Sequence, residues 1–286
     1  MDVIKKIITV KLFIAFIYLI AAIIFSPASF AQQLPLWEFG IGFGALHLPF
    51  YRGADTTSNL VVPFPYLVYR GDWFKIDESG VHHRLFISDR AKLELSLSGG
   101  VPVPSGDTDS IRAGMPDLDP TVEFGPSLEI NLWENERDKR SLWMNLPLRA
   151  TVSVSAAEID HQGWAFAPYI EYVLKSRKPG DWKTGLAFGP LYADEEYHNY
   201  FYEVTSEFAK PSRLEYHSRG GYSGSRITLT LQKNIRDVWL GAFLRFDSLA
   251  ESAFEDSPLR TSDYYRAFGF AMTWVFTKSR TLVEVD

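Results

Sequence analysis

Two adjacent histidines, His82 and His83, stand a few residues before Ser88 and Asp89. A histidine that takes a proton from a serine, held in place by a carboxylate, is the working part of a hydrolase. Neighbouring residues of an extended segment point to opposite faces, so at most one of the two histidines could join such a dyad. No Gly-x-Ser-x-Gly elbow accompanies them. The preferred reading is polar strand positions beside a turn, with no catalytic residue and no enzyme. A second group, Asp107, Asp109, Asp117 and Asp119, is acidic enough to attract a divalent cation. Its spacing is not that of an EF-hand loop, and Asp beside Gly and Pro is common turn composition. Neither a resident metal nor a cofactor is expected.

A third group, Glu123, Glu129, Arg149, Glu171 and Lys183, occupies the polar face of segments whose other face is apolar. A fourth, Tyr192, Tyr197, Tyr200, Phe201 and Tyr202, crowds aromatic rings among acidic residues. What these groups do depends on the elements that carry them. The hydrophobic period of those elements is two, the period of a strand. Trp37, Phe39, Ile41, Phe43 and Ala45 alternate with Glu38, Gly40, Gly42 and Gly44. The same holds for Val122, Phe124, Pro126, Leu128, Ile130 and Leu132 against Thr121, Glu123, Gly125, Ser127, Glu129 and Asn131. The pattern recurs in Ala91–Ser98, Leu142–Val154, Trp164–Lys175, Arg226–Gln232 and Phe268–Phe276, and no helical period competes.

A soluble sandwich also alternates, but its strands average about five to six residues, whereas a membrane-crossing strand needs about 9–11. The stripes here are of the longer kind, and Trp37, Trp133, Trp164 and Trp182 sit at stripe ends, where aromatics mark a membrane interface. The expected fold is therefore all-β: a transmembrane, antiparallel, up-and-down β-barrel of about twelve strands, with ten or fourteen as alternatives. Short connections (Arg70–Asp72, Ser88–Arg90, Glu134–Arg140, Lys178–Asp181, Asn234–Asp237) would be periplasmic. Longer ones (His47–Asn59, Pro102–Asp117, Ala156–Gly163, Ala193–Ser223, Ser248–Asp263) would face outward. In such a barrel the third group points into the lumen, as a charge network closing it or as the lining of a small pore. Confined opposite charges pair, which favours closure. The aromatic group is an interfacial girdle or a contact surface, and any cation on the acidic loop would bridge lipopolysaccharide.

Lys5, Lys6 and Lys11, the apolar stretch Leu12–Phe25 and Ser29-Phe30-Ala31 have the order of a secretory signal peptide, residues 1–31, cleaved after Ala31. Removing it leaves 26 basic and 34 acidic residues, a formal charge of −8. That balance argues against a nucleic-acid partner. The absence of cysteine removes disulfides and thiol nucleophiles. The barrel would occupy residues 32–276, and residues 277–286 would form a periplasmic tail beyond Phe276, the aromatic at which such barrels usually end.

The stretches Tyr51-Arg52-Gly53, Gly114-Met115-Pro116-Asp117-Leu118-Asp119-Pro120-Thr121-Val122-Glu123-Phe124-Gly125-Pro126, Tyr200–Val204, and the closing Ser257-Pro258, Tyr264-Tyr265-Arg266 and Trp274-Val275-Phe276 recur in order along the chain. In them the chain resembles the MipA/OmpV family of outer-membrane proteins. The resemblance implies Tyr51, Gly53, Gly114, Pro116, Asp117, Asp119, Gly125 and Pro126 as family-motif positions. It implies a location in the outer membrane, among its lipid and lipopolysaccharide. It also implies a scaffold linking a lytic transglycosylase to a murein synthase. The alternatives are a porin-like channel for small solutes and, behind it, a lipid-modifying enzyme.

Overall fold

The computed structural model describes residues 32–285 except 72–73, 78–79, 89, 101, 104, 106–109, 157 and 176–180. The predicted signal peptide therefore lies outside the described residues, as do Asp89, Asp107, Asp109 and the side chains of His82 and His83.

The wall runs β2 (Trp37–Pro49), β3 (Thr57–Arg70), β4 (Phe74–Asp77), β5 (Gly80–Ile87), β6 (Ala91–Gly100), β7 (Thr121–Asn135), β8 (Arg140–Val154), β9 (Ile159–Phe166), β10 (Tyr169–Leu174), β11 (Trp182–Ala193), β12 (Gly221–Ile235), β13 (Val238–Ser248) and β14 (Tyr264–Lys278). Except for β9 and β10, each pairs antiparallel with its sequence neighbour, and β14 pairs with β2, which closes the sheet. β9 and β10 both pair with β8 on one side and β11 on the other. They are two halves of one wall strand, broken at Ala167-Pro168, where proline has no N–H for the ladder. Thirteen strand segments thus fill twelve wall positions, the expected number.

The predicted faces hold. Phe43, Phe188, Phe268, Phe270 and Trp274 are each half exposed or more on the outside of the wall. Rings so exposed belong in hydrocarbon, not water. Trp37, Trp133 and Trp182 mark the short-turn end and Trp164 the other, all on the exposed surface. No helix among the described residues is long and apolar enough to cross a membrane.

Three expectations need correction. First, Thr277 and Lys278 continue β14, and Phe276 is the extra residue of a β-bulge against β2. Beyond them, β15 (Leu282–Val285) pairs with β1 (Gln32–Pro35) in a separate two-stranded ribbon, so the residues given to a tail carry a strand of their own. Arg70 ties this ribbon to the rim, donating to the Pro35 carbonyl at 2.7 Å and pairing with Glu38 at 2.8 Å. Second, Ile159–Gly163 is strand; only the turn closed by Ser155 and Glu158 links β8 to β9. Third, the Ala193–Ser223 connection contains a helix, α1 (Glu195–Tyr202). Asp194 caps it, its carboxylate accepting from the Tyr197 and Trp164 N–H groups at 2.9 Å, and Glu195 and Glu196 complement the helix dipole.

Candidate functional site

Four outward loops fold over the mouth of the barrel and share one apolar core. Tyr51 and Ala54 come from the first, Val103 and Leu118 from the second, Tyr202 from α1, and Leu249 and Phe254 from the last. Tyr202 and Phe254 stack at 3.8 Å between centroids, and His198 meets Phe254 edge-on at 5.0 Å. The rings of α1 thus pack into or against this core, while Tyr200 also lines an open pocket of about 610 Å³ between α1 and the second loop. They face inward because an amphipathic helix lying across the mouth must bury its ring-bearing side. The Tyr197 hydroxyl reaches Glu123 at 3.4 Å, Tyr200 the Asp119 carbonyl at 2.9 Å and Tyr202 the Arg52 carbonyl at 2.6 Å. Tyr192 alone of the five stands on the outer wall, edge-on to Tyr222.

The motif positions stitch this cap together. The Tyr51 hydroxyl donates to the Leu259 carbonyl at 2.6 Å, and burial pushes its pKa up to about 12. Gly53 has φ +91, which favours glycine, and its carbonyl accepts from both Thr261 and Ser262. Asp117 accepts from the Ser105 N–H at 2.5 Å, and the Pro116 carbonyl accepts from Ser105 and Arg112. Gly114 lies in the turn beside Arg112 and Met115. Asp117 is therefore committed to turn structure, as its neighbours suggested, and no described cluster of three acidic or histidine side chains could hold a metal. Gly125 stands where β7 crowds β8: a Cβ there would lie 2.1 Å from the Leu148 carbonyl oxygen. Pro126 faces outward on the same strand.

The predicted lumen charges converge in part. Arg149 donates to Ser96 at 3.0 Å and approaches Glu123 at 4.0 Å. Glu129 lies across the β6–β7 ladder from Lys92. Glu171 lies over Gly185 and in the field of Lys183. Arg149, Glu171, Tyr169 and Arg226 line a cavity of about 270 Å³ beside the break between β9 and β10.

Sequence reasoning missed the strongest cluster. Asp247 on β13 is fully buried and holds three guanidinium groups: Arg52 at 2.8 Å, Arg226 at 3.1 Å and Arg245 at 2.8 Å. Arg226 and Arg245 each grip it with Nε and Nη2, while Arg52 also donates to the Ser223 carbonyl at 2.6 Å. Arg226 was legible as a polar-face residue; Arg52 arrives from a loop 195 positions away.

Of the residues weighed as a hydrolase constellation, only the Ser88 side chain is described. Ser88 closes the β5–β6 turn, accepting from the Ala91 N–H at 3.0 Å.

The sequence profile described as MltA-interacting protein MipA matches residues 41–276. The chain belongs to the MipA family. The match runs from within β2 to within β14 and takes in the whole cap. No curated protein matches the chain. Among solved structures, a bacterial polysaccharide outer membrane secretin aligns over 84% of this chain and 99% of its own, with TM-score 0.40 and 7% identity. An outer membrane channel from Pseudomonas putida F1 aligns over 88% and 100%, with TM-score 0.37 and 14% identity. LpxR from Salmonella typhimurium aligns over 83% and 100%, with TM-score 0.33 and 9% identity. Superpositions this loose say nothing of function; the closed register and the family place the chain among outer-membrane β-barrels.

His198 makes the cap sensitive to acid. It is fully buried, with Nδ1 2.6 Å from the Arg219 carbonyl and Nε2 2.6 Å from the Ser223 hydroxyl. Nδ1–H donates to that carbonyl, and the burial that disfavours a charged ring leaves Nε2 to accept from the hydroxyl. Burial lowers its pKa, the nearby Arg52 charge lowers it further, and the Arg219 carbonyl offsets part of this. An opened cap would take up a proton near pH 6.5, which the closed cap refuses until lower pH. Closure is therefore fully stable above about 6.5 and weakens as pH falls below it. Protease cleavage within residues 203–220 of the folded barrel should rise across that window. A flat profile would show that His198 does not govern the cap.

Proposed function

We propose that this chain is a non-catalytic outer-membrane scaffold. Its periplasmic face would hold a murein-cleaving lytic transglycosylase and, through it, a murein synthase. Export by a signal peptide cleaved after Ala31, and a wall bathed in phospholipid and lipopolysaccharide, belong to the same proposal. What supports it beyond the family description is the β1–β15 ribbon. A protein whose outer mouth is filled by its own loops keeps, at its other end, an ordered element anchored to the rim by Arg70. Two short strands alone are marginal in water, so a structure kept there gains from a partner that covers it.

A photoactivatable crosslinker placed at exposed Leu282 tests this reading, with Tyr264 at the outer end as control. Recovery of a lytic transglycosylase from position 282 and not from 264 is the expected result. A partner caught equally at both positions, or no murein enzyme at either, would sink the scaffold. The cavity beside Arg149 and Arg226 favours a second reading, a narrow channel for small anionic solutes, which predicts stepwise current in planar bilayers.

A further inference from the structure

The outer end of the lumen carries more positive charge than the side chains around it neutralise. Arg52, Arg226 and Arg245 all close on Asp247, three guanidinium groups on one carboxylate, a formal +2. Neighbouring lumen charges are matched one to one: Arg149 stands 4.0 Å from Glu123, and Glu171 lies in the field of Lys183. Among the described residues no second carboxylate bonds the three arginines. Like charges held together in a confined site repel unless a further anion joins them.

The wall beside this cluster recedes. β11 turns Gly185, Ala187 and Gly189 to the lumen, three positions with little or no side chain, paired with Thr230, Thr228 and Arg226 of β12. A Cβ at Gly189 would lie 1.9 Å from the Pro168 carbonyl oxygen, so the break between β9 and β10 tolerates nothing larger there. The space left is the cavity of about 270 Å³, lined by Arg226 and Thr228 from β12 and by Arg149 from β8.

Its donors are spare. Arg226 engages Asp247 through Nε and Nη2, and its Nη1 has no hydrogen-bond partner among the described residues. The Thr228 hydroxyl has none there either. The Arg226 side chain keeps 30% of its surface exposed, although Asp247 beneath it has none. Glu171 also lines the cavity but leans away from Arg226, its carboxylate over Gly185 on the Lys183 side.

We propose that this cavity binds a phosphate-type dianion, held by the free side of the Arg226 guanidinium, by Arg149 and by the Thr228 hydroxyl. Two negative charges offset the excess on the arginine cluster. A tetrahedral oxyanion also accepts from two guanidinium planes and a hydroxyl at once, a match that a spherical halide lacks. The volume lies just below the usual range of organic-ligand pockets, so the site takes the phosphate group and little else. Free phosphate and the phosphomonoester of a lipid share this chemistry. The inference deepens the channel reading and rests on its account of the cavity as an anion's; the murein partner plays no part in it.

The test titrates inorganic phosphate into the natural chain, folded in phosphate-free detergent micelles, by calorimetry at constant ionic strength. Saturable binding of one phosphate per chain is expected, with chloride unable to displace it. Arg226→Gln and Arg149→Gln should each weaken binding tenfold or more. The second leaves the Asp247 clasp intact, so it stays readable if the first does not fold. Lys278→Gln removes one charge at the periplasmic rim and should bind as the natural chain does. A second arm offers a short-chain phosphatidic acid. Binding of that lipid alone assigns the occupant to a headgroup, and binding of inorganic phosphate assigns it to the free ion. No saturable binding of either, equal displacement by chloride, or equal weakening by Lys278→Gln would overturn the site. Planar bilayers keep the two readings apart. Phosphate binding by a barrel that passes no current keeps the site and removes the channel, whereas current indifferent to phosphate and to Arg149→Gln keeps the channel and removes the site.

Discussion

Asp247→Ala should lower the stability of the folded barrel by about 3–5 kcal/mol, the usual cost of stripping a buried charge cluster of its counter-ion. The carboxylate has no exposed surface, and it is the anion on which Arg52, Arg226 and Arg245 all close. Removing it leaves three guanidinium groups facing one another across a narrow space, with repulsion added to the lost hydrogen bonds. The converse change is milder. Arg226→Met leaves Asp247 two partners and relieves one repulsion, so its cost should be a fraction of that figure. Combining the two should be less harmful than Asp247→Ala alone, since the second change removes a charge the first left unpaired. The temperature at which the folded form converts to the unfolded on a gel ranks all three proteins. If Asp247→Ala melts with the natural chain, lumen water or an anion already neutralises the arginines, and the cluster is a solvated lining rather than a clasp.

What was legible in the sequence was what depends on local periodicity. Alternation in β2, β7 and β8 fixed both the strands and the side of the wall each residue occupies, and Glu123, Arg149 and Glu171 do point inward as their parity requires. What escaped was set by meetings between distant segments. Arg52 looked like part of a loop motif and Asp247 like the end of a strand; only closure of β14 onto β2 brings them together. The aromatic run of α1 was ambiguous because eight residues give barely two helical turns. The cap signal of Asp194, Glu195 and Glu196 was present but outweighed by the surrounding strand period. Among the described residues, Thr57–Val68 of β3 pair with β2 alone, and that left a trace too. Pro63 and Pro65 inside a long apolar run are an edge signature that hydropathy alone reads as another buried strand.

Phe254→Ala should act on the cap and spare the wall. The ring is fully buried, stacked on Tyr202 and packed against His198, at the point where the last loop meets α1. Truncating a buried phenylalanine costs about 3–5 kcal/mol, part of it the cavity left behind. That cost falls on an apolar core made only of loops, whereas the wall is held by its own ladder of hydrogen bonds. Local opening draws on the stability of the region that opens, so the fraction of open caps should rise by two to three powers of ten or more, at roughly 1.4 kcal/mol per tenfold. Three readouts separate cap from wall. Cleavage within residues 203–220 should become rapid, bilayer current should appear or grow, and the unfolding temperature of the barrel should stay near that of the natural chain. Phe254→Leu keeps most of the volume and should behave almost as the natural protein. An alanine variant that stays protease-resistant and silent would mean that the hydrogen bonds from Tyr51, Tyr202 and the paired donors to Gly53 hold the mouth closed without the aromatic core. A variant that conducts only after acid treatment would assign closure jointly to Phe254 and the neutral ring of His198 beside it, two contacts that must fail together before the lumen opens.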